Sequence, residues 1–212
     1  MKFTGDELLL YAVTDRGFVG RFSLYQQLEQ ALAGGVSLVQ LREKELELDA
    51  LIEEAREIRR LCHRYSVPLI INDNYLAAVK SGADGVHVGQ SDESVAEIRQ
   101  KVGGDFIIGA TAKTVEQAKR AEAEGASYLG VGAVFPSPTK TNAVRITRDE
   151  LRDITASVNI PCVAIGGITL DNIDYLNGCG VSGVAVISSL FGAQDIELAA
   201  RKLKESAKEI VS

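Results

Sequence analysis

The sequence is poor in cysteine, and its three cysteines, Cys62, Cys162 and Cys179, show no CxxC spacing. That argues against a disulfide framework and a zinc site, and leaves buried, reduced thiols. Positive charge is also short. Lysine and arginine number 23 against 29 aspartates and glutamates, a net charge of −6. Nucleic-acid-binding surfaces show as basic patches or stripes, so this balance argues against one. Any anion site has to be local. No apolar run approaches the ~18 residues of a membrane span. At the start of the chain, Asp6 and Glu7 precede the only apolar stretch, which is not a signal-peptide layout. The expectation is a cytoplasmic protein with neither nucleic acid nor membrane as partner. Linkers and low-complexity tracts are missing too, so residues 1–212 are expected to form one domain. What is there is an ordinary 46% hydrophobic content, enough for a sizeable core.

One unit repeats along the chain: a short β-rich apolar run, a polar turn, then a helical pattern. The runs predict strands at Leu9–Thr14, Leu38–Leu41, Leu69–Asn72, Gly85–Val88, Phe106–Gly109, Tyr128–Val131, Cys162–Ile165 and Gly183–Ile187. Between them, Leu48–Tyr65 is the clearest helix, with Leu51, Ile52, Ala55, Ile58 and Leu61 on one stripe. Val115–Glu124 and Ile196–Ile210 follow the same pattern more weakly. Alternating strands and helices imply parallel βαβ units. Eight such units in 212 residues predict an α/β fold, a (β/α)8 TIM barrel, with short loops. Glycines at Gly34-Gly35, Gly82, Gly125 and Gly178 fall at helix ends, where a left-handed cap suits them.

The chemistry gathers at the predicted C-terminal strand ends. Strand side chains alternate between faces. Val39 and Leu41 suit the helix-facing side, so Gln40, Arg42 and Lys44 are expected at the barrel mouth. There an arginine and a lysine two residues apart can grip a polyanion, one as a fork and one as a point charge. The alternative is a solvated cluster, since Glu43 and Glu45 interleave. The third strand ends in Asn72-Asp73, and Gln90-Ser91-Asp92 follows the fourth. Asp73 and Asp92 could share a Mg²⁺ ion, which favours oxygen ligands. Either could instead cap a helix. His87 is as readily a packed, hydrogen-bonded histidine as a ligand contact, and His63 reads as a helix-surface residue. After the sixth strand, Phe135-Pro136-Ser137-Pro138-Thr139-Lys140 reads as a flap able to close over an anion, or as a plain polar loop. Gly166-Gly167 after the seventh strand and Ile187-Ser188-Ser189 after the eighth match the usual phosphate site of barrel enzymes.

Together these segments resemble the thiamine-phosphate synthase (thiamine monophosphate pyrophosphorylase) family. The segments that carry the resemblance are Val39-Gln40-Leu41-Arg42-Glu43-Lys44, Ile71-Asn72-Asp73, Gly85-Val86-His87-Val88-Gly89-Gln90-Ser91-Asp92, Gly130 through Lys140, and Ala164-Ile165-Gly166-Gly167-Ile168. The resemblance implies a transferase. It joins aminohydroxymethylpyrimidine diphosphate to hydroxyethylthiazole phosphate, with Mg²⁺ assisting departure of pyrophosphate along a dissociative path. It further implies that Arg42, Lys44, Asn72 and Lys140 hold the diphosphate, and that Asp73 and Asp92 hold the metal. Gln40 and His87 would line the pyrimidine pocket, and Ser137 and Thr139 would sit near the thiazole. Gly167, Ile187 and Ser188 would take the phosphate that stays. One segment departs from the family pattern. Where the family commonly reads Gly-x-Ser-x-His-Thr, this chain has Gly109-Ala110-Thr111-Ala112-Lys113-Thr114. Thr111 keeps the hydroxyl expected to touch the diphosphate, and Lys113 replaces a histidine that matters in the sister group of thiazole tautomerases. A tautomerase-like isomerase or a non-catalytic phosphate sensor on the same fold are the alternatives. The retained acids and cations disfavour both.

Overall fold

A strand covered on both faces needs apolar residues on both, and the short runs supply them. The computed structural model describes residues 3–136 and 144–211. Its strands are β1 (Leu10–Val13), β2 (Leu38–Leu41), β3 (Leu69–Asn72), β4 (Gly85–Val88), β5 (Ile107–Ala112), β6 (Tyr128–Gly132), β7 (Cys162–Ile165) and β8 (Gly183–Val186). They pair in chain order, all parallel, and β8 returns to β1 to close the barrel. Around them lie α1 (Leu24–Ala33), α2 (Leu48–Arg64), α3 (Tyr75–Ser81), α4 (Val95–Val102), α5 (Val115–Ala123), α6 (Arg148–Ala156), the short α7 (Ser188–Phe191) and α8 (Ile196–Ile210). A 3₁₀ turn, Ile173–Leu176, stands between β7 and β8.

The barrel is the one the repeat predicts, with shifted edges. β5 is the informative case: it is predicted to stop at Gly109 but runs to Ala112. Its small residues have little strand preference of their own. Pairing with both neighbours carries them, Ala110 opposite Val88 and Ala112 opposite Val131. Thr111 therefore sits on a strand rather than in a loop. The helix ends behave as expected, with Gly35, Gly82 and Gly125 at φ of 99°, 75° and 95°.

Two apolar layers result. The outer one lies between strands and helices and includes Val39, Leu41, Ile71 and the α2 stripe of Leu51, Ile52, Ala55, Ile58 and Leu61. The inner one fills the barrel with Leu8, Tyr11, Val13, Leu38, Ile70, Ile107, Tyr128, Val163 and Ala185. The alternation expected for β2 holds: Leu38 faces inward, while Val39 and Leu41 face the helices. Gln40 follows Leu38 on the inner side and is 4% exposed. The inner layer is tight enough to dictate glycine. A Cβ on Gly109 would lie 2.2 Å from Tyr128 Cζ and 2.5 Å from His87 Nδ1.

Candidate active site

At the β1–β2 rim, the backbone N–H of Arg42 donates to Thr14 Oγ1 at 2.8 Å. The Arg42 guanidinium stands 3.8 Å from the Asp15 carboxylate and its side chain is 13% exposed. The next loop residue along, Arg16, bridges Glu43 at 2.6 Å and Glu54 at 2.7 Å. Glu43 is thus turned away from solvent, and burial pushes its carboxyl up while Arg16 opposes the shift. The alternative from sequence is a solvated charge cluster in which Glu43 and Glu45 interleave. The structure instead commits Glu43 to Arg16. Lys44 is exposed at the same rim.

At the β3–β4 rim, Asn72 ends β3 opposite His87, and the Asp73 N–H donates to the His87 carbonyl at 2.8 Å. Asp73 holds φ at 62°, a region that non-glycine residues rarely enter. Such outliers concentrate at functional sites. Asp92 Oδ2 accepts from the Gly89 N–H at 2.7 Å. Neither acid caps a helix: Asn74 caps α3 and Ser94 caps α4. The capping alternative is thereby removed for both. A cleft of about 190 Å³ opens beside Asp92, lined also by Gln90, Ser94 and Arg120. A larger one, about 360 Å³, lies around Phe3, Glu7, Pro68 and Ile107, at the opposite end of the strands from these residues.

Between these rims a polar chain crosses the barrel interior. Gln40 Nε2 donates to the Tyr11 hydroxyl at 2.6 Å, and Tyr11 meets the Tyr128 hydroxyl at 2.7 Å. Tyr128 meets His87 Nδ1 at 3.0 Å, and His87 Nε2 meets Thr111 Oγ1 at 3.0 Å. Burial drives both phenols well above their ordinary ionisation range. His87 is therefore both packed and hydrogen-bonded. His63 is a surface residue in the last turn of α2, 2.9 Å from Asp84. The sequence reading assigned no role to Tyr11 or Tyr128. The signal for Tyr128 was the period-two series Tyr128, Gly130, Gly132, in which one large inward residue is followed by two that leave space.

Across the mouth, Gly166 and Gly167 take φ of 107° and 61°. Asn172, also unassigned from sequence, braces their loop: its Nδ2 donates to the Gly167 carbonyl and its Oδ1 accepts from the Thr169 N–H, both at 2.9 Å. A Cβ on Gly167 would lie 2.1 Å from the Pro136 carbonyl oxygen. Gly167 is thus needed against the start of the loop after β6. Ile187 precedes the first turn of α7, which Ser188 opens. Lys113 follows β5, and its N–H donates to Gln117 Oε1 at 2.8 Å. Ser137, Thr139 and Lys140 lie outside the described residues.

The chain's likenesses agree with the barrel fold. Residues 10–190 match the profile of the family described as Thiamine monophosphate synthase. A thiamine-phosphate synthase of Clostridium acetobutylicum is 44% identical over 94% of this chain and 95% of its own. One from Methanobrevibacter smithii is 42% identical over 95% and 96%. The solved structure of a thiamine phosphate pyrophosphorylase from Pyrococcus furiosus superposes with a TM-score of 0.90 at 35% identity, covering 98% of this chain and 99% of that one. A 3-hexulose-6-phosphate synthase shares the fold at a TM-score of 0.67 and 16% identity.

Proposed function

The chain belongs to the thiamine monophosphate synthase family and shares its activity, a group transfer; on that premise we propose how its barrel mouth divides the work. The substrates are aminohydroxymethylpyrimidine diphosphate and hydroxyethylthiazole phosphate. The C–O bond to the diphosphate breaks first, and the thiazole nitrogen then takes the exposed methylene carbon. Thiamine phosphate and pyrophosphate result. One observation carries this reading. The cationic and acidic candidates cluster at the ends of β2, β3 and β4, while the uncharged Gly166-Gly167 and Ile187-Ser188 stand at the ends of β7 and β8 of the same closed barrel.

A departing diphosphate gathers charge, so fixed cations favour its departure over its resting state. Arg42, Lys44 and Lys140 supply that charge, with Asn72 and the Thr111 hydroxyl as neutral partners. Gln40 and His87 line the pyrimidine pocket, and Ser137 and Thr139, outside the described residues, are assigned to the thiazole substrate. The second phosphate only has to stay bound. Backbone N–H groups at Gly167, Ile187 and Ser188 suffice for that. Asp73 and Asp92 fit Mg²⁺, because they offer two oxygen donors and Mg²⁺ commonly takes one or two carboxylates plus phosphate oxygens. Their placement supports the fit: Asp73 is held in its rare backbone region, and Asp92 is oriented by Gly89. When bound, the ion adds positive charge beside the diphosphate. An isomerase or a phosphate sensor has no use for this paired set of acids and cations. Among the described residues, no helix is long and apolar enough to cross a membrane. The three unpaired, buried cysteines suit a reducing compartment, so we place the reaction in the cytoplasm.

The test is release of pyrophosphate and thiamine phosphate in equal amounts when both substrates and Mg²⁺ are present, with neither formed when one substrate is left out. Pyrophosphate released at full rate without the thiazole phosphate would make the chain a hydrolase and reject the reading.

A further inference from the structure

The polar chain through the barrel has a direction. Each hydroxyl in it carries one hydrogen, and an amide nitrogen only donates. Gln40 Nε2 donates to Tyr11, so Tyr11 directs its own hydrogen to Tyr128, its other hydrogen-bond partner among the described residues. Tyr128 then directs its hydrogen to His87 Nδ1. A neutral imidazole with a bare Nδ1 carries its proton on Nε2, which here donates to Thr111 Oγ1. Thr111 accepts from His87 and keeps its hydroxyl hydrogen for another acceptor. Turning the Gln40 amide over reverses every link. Thr111 would then donate to His87 and offer only lone pairs, which repel an anion.

We propose that the chain Gln40–Tyr11–Tyr128–His87–Thr111, oriented at its Gln40 end, selects the His87 tautomer and makes the Thr111 hydroxyl a donor to an anion at the barrel mouth. Tyr11 and Tyr128 are positioning residues in this scheme, acting through His87 and Thr111. The surroundings preserve the direction. Tyr11 and Tyr128 are 1% and 0% exposed, so water does not offer a competing partner. Burial also keeps both phenols protonated near neutrality, so no link loses its hydrogen. Their rings meet edge-on at 5.9 Å, and Gly109 leaves just the room that Tyr128 and His87 occupy. The identity of the anion, the substrate's diphosphate, rests on the function proposed above; the direction of the chain does not.

The chain has two histidines, so ¹⁵N-labelled histidine gives two ring systems, and His63→Gln assigns them. At about pH 8.5, roughly two units above the ordinary histidine pKa, nitrogen shifts separate bare from protonated ring nitrogens. Nδ1 of His87 should be bare and Nε2 protonated. Gln40→Leu removes the donor that sets the direction, so the two tautomers should mix. Tyr11→Phe or Tyr128→Phe cuts the chain, and the two tautomers mix. Either tyrosine variant serves if the other folds poorly. A protonated Nδ1 in the unaltered protein, or a single Nε2–H tautomer kept in Gln40→Leu, would overturn the proposal. The anion arm uses inorganic pyrophosphate and calorimetry. Tyr11→Phe and Thr111→Val should each bind it roughly tenfold more weakly, and the double variant no more weakly than Thr111→Val alone. Additive losses would show that Tyr11 does not act through Thr111. Unaltered protein that binds no pyrophosphate yet shows the Nε2–H tautomer would reject the diphosphate reading and leave the direction standing.

Discussion

Gly109 shows how single positions hold the site. Its absent side chain is the space that the Tyr128 ring and His87 share. Gly109→Ala is expected to cost about 1–3 kcal/mol through overpacking, read as a lower denaturation midpoint with an unchanged slope. A midpoint within error of the unaltered protein would mean that Tyr128 has room to move. The buried tyrosines lead to a pH expectation. Their folded ionisation lies above the free value, so folding favours the protonated phenol. That contribution is complete below pH about 10, the free value, and is lost as pH rises toward the folded value. Followed by phenolate absorbance, two of the six tyrosines should ionise only as circular dichroism reports unfolding. Six phenols titrating near 10 in folded protein would contradict the burial argument. The positions of Arg42, Asp73 and Asp92 beyond their strands, and of Gln40 and His87 within β2 and β4, were legible in the sequence. Tyr11 and Asn172 were not. Tyr11 looks like any aromatic core residue, and Asn172 braces Gly167 through a loop whose fold no local pattern announces.

Among the elements, the β1 and β2 loops are clipped to each other. Arg16 reaches across to Glu43 and Glu54, and Thr14 and Asp15 meet Arg42. An ion pair with one half-exposed partner contributes little net stability, but stranding a buried carboxylate costs more. Arg16→Met should therefore destabilise by about 1 kcal/mol, and adding Glu43→Gln should recover much of that. The comparison is urea midpoints of the single and double variants. A double variant less stable than Arg16→Met alone would show that Glu43 matters for packing rather than charge. Element order and type were legible because eight apolar runs alternate with helical stripes. Boundaries were less so, and β5 shows why: Ala110, Thr111 and Ala112 become strand only by pairing with β4 and β6. Capping boxes at Ser23–Gln26, Ser94–Glu97 and Thr147–Glu150 fix three helix starts and went unread in the sequence.

At the scale of the molecule, the proposed function puts two unlike anion sites across the one mouth of the closed barrel. The acids make a first check of the cationic side. Excess chelator, or Asp73→Ala, is expected to abolish nearly all turnover while leaving the fold intact by circular dichroism. Full activity in chelator would remove the metal from the account. The uncharged side resists so simple a check, because a side chain on Gly167 would strike the Pro136 carbonyl whether or not a phosphate is held there. Arg42 is the better probe of the proposed division, since it is assigned to the diphosphate side alone. The most direct measurement is steady-state kinetics of Arg42→Ala with each substrate varied in turn. The expected result is a kcat lower by about 10²-fold or more, with the Michaelis constant for hydroxyethylthiazole phosphate within about twofold of its original value. An unchanged kcat, or an equal loss of affinity for both substrates, would contradict it.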